Sequence, residues 1–266
     1  MMYWQCAFDL FNSGKPILFP DITYSFYKVW AQLYSIPYEC PKLNEEFRIV
    51  KEDYYRENGG VIFPNPNAPT AVYEELDFIE DILEHNRDVV VIVDEAYIDF
   101  AGRSAIELIE RYDNLVVTQT FSKARSMAGM RIGYAISNPK LIRYLNDVKY
   151  SFNSYTLNKV ALVCGEAAVK DQEYFENTVK KITDTREKTK KELADLGFSF
   201  TDSKANFIFA SHPEYDAKEM FDAMKEQGIY VRHWDSERIS QYLRITIGTE
   251  EEMQKLFEFL KKYMQK

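Results

Sequence analysis

Three short apolar runs limit what this chain can fold into: VIF at 61–63, VVVIV at 89–93 and VVT at 116–118. Runs of this length with no polar alternation fit strands covered on both faces, as in a parallel sheet flanked by helices. Each run leads into polar chemistry. The first gives way to NPNAPT at 65–70, the second to Asp94, and the third, after QTF, to Ser122 and Lys123. Between the first two, residues 74–86 predict a crossover helix, with Leu76, Ile79 and Leu83 on one face, acids in the first turn, and His85 and Arg87 near its end. A second short helix is predicted at 104–111, and Arg131 is expected to open a strand at 132–136. Ligands of open α/β sheets settle at the carboxyl ends of strands. An amide-rich turn, an acid and a lysine are therefore expected at three successive strand ends.

Taken singly, each residue has an ordinary structural reading. A lysine after a strand is mostly solvated, an acid there often caps the next helix, and Asn and Pro together make turns. Their order is more specific. With Arg131 following Lys123 by eight residues and Gly129 between them, the chain resembles the fold type I pyridoxal 5′-phosphate (PLP) enzymes, and most closely the histidinol-phosphate aminotransferases. The resemblance runs from about residue 10 to the carboxyl terminus.

The resemblance implies a role for each of several residues. Lys123 is the Schiff-base lysine and the acid/base, Asp94 faces the pyridine nitrogen, and Tyr97 hydrogen-bonds the ring oxygen. Tyr24 stacks on the ring, and Ser122 and Arg131 hold the phosphate. The turn departs from the family's Asn-Asn-Pro-Thr-Gly pattern. Ala68 stands directly before Pro69 and Ala71 replaces the glycine, so Asn67 is the candidate donor to the phenolate oxygen. On the substrate side, Arg244 in YLRITIGT corresponds to the arginine that binds the α-carboxylate, and a guanidinium fork gives two parallel bonds to such a group. Arg232 in IYVRHW corresponds to a second arginine directed at the substrate's side-chain end, and Asn206 to an asparagine lining the same pocket. Surface ion pairs are the alternative duty for both arginines.

The implied reaction is transamination between L-histidinol phosphate and 2-oxoglutarate, in histidine biosynthesis, by a homodimer. An aromatic aminotransferase or a phospho-amino-acid decarboxylase shares almost every motif, and a catalytically silent remnant is a further alternative. In the family a glycine-rich phosphate turn and an arm reaching the partner subunit precede the first helix. Neither has a counterpart in this sequence, so the chain is expected to be amino-terminally incomplete.

The remainder of the chain bounds this reading. Residues 1–11, MMYWQCAFDLF, are apolar on nearly every side and predict a buried helix without the basic start of a signal peptide. A helix starting near Thr23 follows, with Val29, Trp30 and Leu33 as its core stripe. At 266 residues the chain is long enough for a large and a small domain, expected here as a PLP-binding part at 1–155 and a smaller α+β part at 156–266. The latter is predicted from helical stretches at 160–195, strands near 198–201, 206–209, 229–233 and 242–247, a helix at 216–227, and a last helix opened by the capping box of Thr249 and Glu252. A net charge of −9 and a pI near 5.1 argue against a nucleic-acid surface. Cys6, Cys40 and Cys164 are too few and too scattered for a disulfide framework or a zinc site. No metal and no membrane span are expected, and a cytoplasmic location fits.

Overall fold

In this computed structural model, which describes residues 7–265, the apolar runs become adjacent strands. The six strands are β1 (Ile17–Leu18), β2 (Tyr38–Glu39), β3 (Val61–Pro64), β4 (Val91–Asp94), β5 (Leu115–Thr120) and β6 (Gly133–Ser137), in the order β2-β1-β3-β4-β5-β6. All pairings are parallel except β5 with β6. The register sets Pro64 beside Asp94 and Asp94 beside Thr118, so β3, β4 and β5 end nearly level.

Successive side chains along these strands point to opposite faces, and both faces are buried. Ile17, Ile62, Ile92 and Val116 pack with Phe8, Phe11, Tyr27 and Trp30, and with Leu141 and Leu145. Tyr27 and Trp30 come from helix α1 (Phe26–Leu33), Leu141 and Leu145 from the helix beyond β6, Pro139–Phe152, and Phe8 and Phe11 from the segment before β1. Val61, Phe63, Val91, Val93, Leu115 and Val117 meet Ile79, Ile82 and Leu83 of α2 (Leu76–His85) on the other face. Burying each Ile, Leu or Val side chain contributes roughly 1.5–3 kcal/mol, which is why runs without polar alternation suit this position. The crossover at 104–111 is a short 3₁₀ turn, Ala105–Leu108, whose Ser104 cap accepts the Ile106 N–H. Most of the predicted first helix lies outside the described residues, while Ala7, Phe8 and Phe11 are buried.

The carboxyl-terminal part contains α3 (Pro139–Phe152), α4 (Lys159–Lys170) and α5 (Gln172–Asp195). Asn138 opens α3 by accepting from Lys140 N and Leu141 N, with Pro139 in the first turn. A three-stranded antiparallel sheet follows, β7 (Ser199–Phe200), β8 (Phe207–Ser211) and β9 (Leu243–Thr246), packed against α6 (Ala217–Glu226) and α7 (Glu250–Tyr263). The Thr249 and Glu252 capping box is formed. Arg186 of α5 is buried and donates to Phe100 O at 2.9 Å and Ala205 O at 3.0 Å, joining the segment after β4 to the segment before β8.

Four expectations shift. Of the core stripe expected on α1, Trp30 is buried but Val29 and Leu33 are exposed, and Tyr27 and Ala31 pack inward instead. The strand predicted at 229–233 is reduced to one bridge, Arg232 with Arg244; Ile229 and Val231 still pack against the core while Tyr230 between them is 78% exposed. The helix placed near Thr23 begins at Phe26, after a turn in which Tyr27 N–H bonds Tyr24 O. Arg131 does not open β6: its φ of 57° puts it in the left-handed region at the end of a 3₁₀ turn, Ala128–Met130, and the strand starts at Gly133.

Candidate active site

The level ends of β3, β4 and β5 form the floor of a cavity of about 470 Å³, and β9 with its bridge partner lines another part of it. Asp94, the last residue of β4, lies in that floor and is 6% exposed. Its oxygens are held by neutral donors, the Tyr27 hydroxyl at 2.8 Å and the Ala96 N–H at 3.2 Å. Burial pushes its carboxyl up to about 6, against the opposing pull of the Tyr27 and Ala96 bonds and of the Lys123 charge. Such a carboxylate has much to gain from a cation placed in the cavity.

Lys123 enters from the loop after β5, with Nζ 5.0 Å from the centre of the Tyr97 ring. Tyr97, buried and edge-on to Phe207 at 5.1 Å, lines the cavity beside it. Tyr24 forms part of the mouth, stacked on Phe26 and edge-on to Tyr27. Burial raises the pKa of its phenol, with Asp94 and Tyr97 adding to the effect. At one end of the cavity, Thr120 Oγ1 accepts the Ser122 N–H at 3.1 Å and lies 2.9 Å from Ser122 Oγ. The exposed Arg131, steadied by a bond from its guanidinium to Ala128 O at 2.7 Å, borders the same cavity. Two hydroxyls and a guanidinium are donors suited to an anion.

The β9 wall carries two arginines. Arg232 N–H donates to Arg244 O at 3.0 Å and Arg244 N–H to Arg232 O at 2.8 Å, which holds both residues at one level of the cavity. Arg244 lies over the Phe207 ring at 5.0 Å, and its Nε is buried without a hydrogen-bond partner. Burial lowers the pKa of this guanidinium, as does the nearby Arg232 charge, while Tyr97 acts the other way. An unpaired buried donor costs roughly 1–3 kcal/mol, a cost that an incoming carboxylate or phosphate would offset.

Eight of the ten residues singled out from the sequence therefore border one cavity: Tyr24, Asp94, Tyr97, Ser122, Lys123, Arg131, Arg232 and Arg244. Asn67 is not among its lining residues, a correction to its expected part as donor. Its amide donates to Ile22 O and Thr70 Oγ1, both at 2.9 Å, and its oxygen accepts from Thr23, so it braces the turn. Ala68 and Pro69 reach the cavity in its place. Asn206 likewise stays off the lining; its carbonyl accepts from Ile247 N at 2.9 Å, beside the end of β9. Sequence reasoning missed Tyr27 and Trp234. The first follows Tyr24 by three residues, and the turn that bonds Tyr27 N–H to Tyr24 O sets the two rings edge-on at 5.5 Å. The second follows Arg232 by two residues, on the same side of an extended segment.

The sequence profile of the family described as aminotransferase class I and II matches residues 4–260. The chain is 51% identical over 254 residues to a histidinol-phosphate aminotransferase of Lactococcus lactis subsp. cremoris, an alignment covering 96% of this chain and 71% of that protein. It is 54% identical over 251 residues to one of Pseudomonas putida, with 94% and 72% covered. Among solved structures, the histidinol-phosphate aminotransferase of Clostridium acetobutylicum superposes with a TM-score of 0.91 at 24% identity, over 99% of this chain and 81% of that one. The Sinorhizobium meliloti enzyme, solved in complex with pyridoxal-5′-phosphate, gives 0.87 at 22% identity, over 97% and 74%. These two structural likenesses establish the fold, and the profile with the closer sequences goes further: the chain belongs to the class I and II aminotransferase family, in the group of the histidinol-phosphate aminotransferases.

Proposed function

We propose that this chain is a PLP-dependent aminotransferase that moves an amino group between L-histidinol phosphate and 2-oxoglutarate, in histidine biosynthesis. The observation that carries the reading is the opening of Lys123 and Asp94 into one cavity from neighbouring strand ends, in a chain about half identical to enzymes of that name.

The residues present fit the cofactor. A buried carboxylate held only by neutral donors suits a cationic ring nitrogen, and Ser122, Thr120 and Arg131 suit a phosphate. Pyridoxal 5′-phosphate supplies, when bound, a conjugated ring that takes up the electron pair left as the substrate carbon loses its proton. Asp94 presents a negative charge to the ring N–H and keeps that proton in place. Lys123 Nζ would be the amine to which the cofactor attaches and would serve as the base at the substrate carbon. Tyr97 and Tyr24 offer a hydroxyl and a flat face to the ring and exclude water from it. Arg244 and Arg232 receive the anionic ends of the two substrates.

In this reading residues 1–155 form the cofactor part and residues 156–266 the smaller part, and the protein works as a cytoplasmic homodimer. Support for self-association comes from apolar side chains left in solvent on and before α4, Tyr155 at 94%, Val160 at 62% and Val163 at 59% exposure. Among the described residues no helix is long and apolar enough to cross a membrane.

The test is reduction with borohydride in the presence of PLP, followed by a panel of amino donors. Wild type is expected to retain a covalently fixed cofactor and to favour L-histidinol phosphate. Lys123→Ala is expected to lose the fixed cofactor and activity by about 10³-fold or more. Fixation that survives this substitution, or a preference for another donor, would overturn the corresponding half of the proposal.

A further inference from the structure

Arg238 lies outside the cavity lining, yet it makes the longest-range polar tie near it. Its guanidinium bonds Asp21 Oδ2 at 2.5 Å and the carbonyls of Leu43 at 2.8 Å and Asn44 at 3.4 Å, spanning 217 residues of sequence to reach Asp21. The receiving end is itself built: Asp21 Oδ1 accepts from Ile22 N at 2.9 Å and Leu43 N at 3.0 Å. Arg238 thus fastens the loop between the Arg232 bridge and β9 onto the segments that follow β1 and β2. The loop is closed on its own side by His233 Nε2, which lies 2.8 Å from Ser240 O.

What this loop brings to the cavity is Trp234. Its ring lies 5.7 Å from the Arg232 guanidinium and 5.8 Å from that of Arg244, and it packs edge-on to Phe209. Two cations at one level of a half-buried wall repel each other, and an indole shared by both attracts each of them. Trp234 therefore governs where the two forks stand before an anion arrives.

We propose that Arg238 is a positioning residue for anion recognition: by fastening its loop to Asp21, Leu43 and Asn44 it seats Trp234 against Arg232 and Arg244. It acts on the phosphate or carboxylate of the substrate through those residues and touches no reacting atom. This inference rests on the proposed aminotransferase site, whose arginine wall it deepens.

The experiment titrates PLP-loaded wild type, Arg238→Ala, Trp234→Leu and the double variant calorimetrically with L-histidinol phosphate, L-histidinol and phenyl phosphate. Arg238→Ala is expected to raise Kd for both phosphates about tenfold and that for L-histidinol by less than about twofold, with KM rising in step and kcat nearly held. Trp234→Leu should reproduce that loss, and the double variant should be no worse than the worse single one, because the two act in series. Arg238→Lys, which can pair with Asp21 but not span the carbonyls, should recover part of the affinity, and Asp21→Asn serves where a variant melts early. Unchanged phosphate affinity in Arg238→Ala, an equal loss for L-histidinol, or additive losses in the double variant would each overturn the inference. Wild type that binds both phosphates alike would count against the substrate reading and leave this one standing, and wild type that binds neither would sink both.

Discussion

The two walls of the cavity are ordered by different means. On the floor, Asp94 and Lys123 take their places from the main-chain ladder of β3, β4 and β5, with cores on both faces of the sheet. On the β9 wall, Arg232 and Arg244 take theirs from one isolated bridge, stacking on Phe207 and Trp234, and a distant ion pair. The floor resembles a casting, fixed wherever the sheet is fixed. The wall depends on side chains that can rearrange without unfolding anything. A cofactor that stays through many turnovers suits the first kind of order, and substrates that differ at their anionic ends suit the second.

Asp94→Asn gives the largest expected break in this comparison, because it strikes the floor. Activity should fall by about 10²-fold or more with loss of cofactor affinity, since the neutral amide cannot face a cationic ring. Stability should move the opposite way in the cofactor-free protein. The folded state raises this carboxyl from 3.8 to about 6, so it holds the proton more tightly than the unfolded chain does. Stability therefore falls as pH climbs through that window and levels off above it. Removing the charge should stabilise the cofactor-free protein by up to roughly 3 kcal/mol near pH 8 and by little below about pH 4. Denaturant melts at both pH values check this; a variant less stable than wild type at the higher pH would contradict it.

Arg244→Lys tests the wall with a smaller stroke. The charge is kept but the planar fork is lost, so KM for 2-oxoglutarate should rise about tenfold, while the bound-cofactor absorbance is unchanged. A disturbed cofactor spectrum would mean that the two walls are not separable. Smallest is Thr249→Ala at the start of α7. Loss of the capping box should cost about 1 kcal/mol in a thermal or chemical melt, with no change in KM, marking the background against which the other effects are read.

The floor was legible in the sequence because a strand buried on both faces must be written as an apolar run, and the residue that ends the run must sit at the rim. The rim place of Asp94, and of Lys123 in the loop three residues past β5, follows from that, while their roles came with the resemblance. The resemblance supplied the wall, since nothing local in YLRITIGT announces what Arg244 faces. Asn67 shows where reading by position stops. The turn is where it was expected, but Thr23 and Ile22, 44 and 45 residues away, engage its amide group, and no local pattern reports such partners. Tyr27 was hidden for a related reason: its hydroxyl serves Asp94, 67 residues on. The segment 229–233 has the alternation of a strand, and Ile229 and Val231 do pack inward, but only Arg232 finds a main-chain partner, in Arg244, and a sequence pattern reports packing rather than pairing.

The parallel register that sets Pro64, Asp94 and Thr118 side by side also determines which changes in chain length the protein can absorb. Side chains reverse direction at every step along a strand, so deleting one residue within β4 would aim the Asp94 carboxyl at the crossover helices on the far side. Gain or loss of residues is thereby confined to the connecting loops, and the spacing inside each strand is inherited as an uninterrupted count.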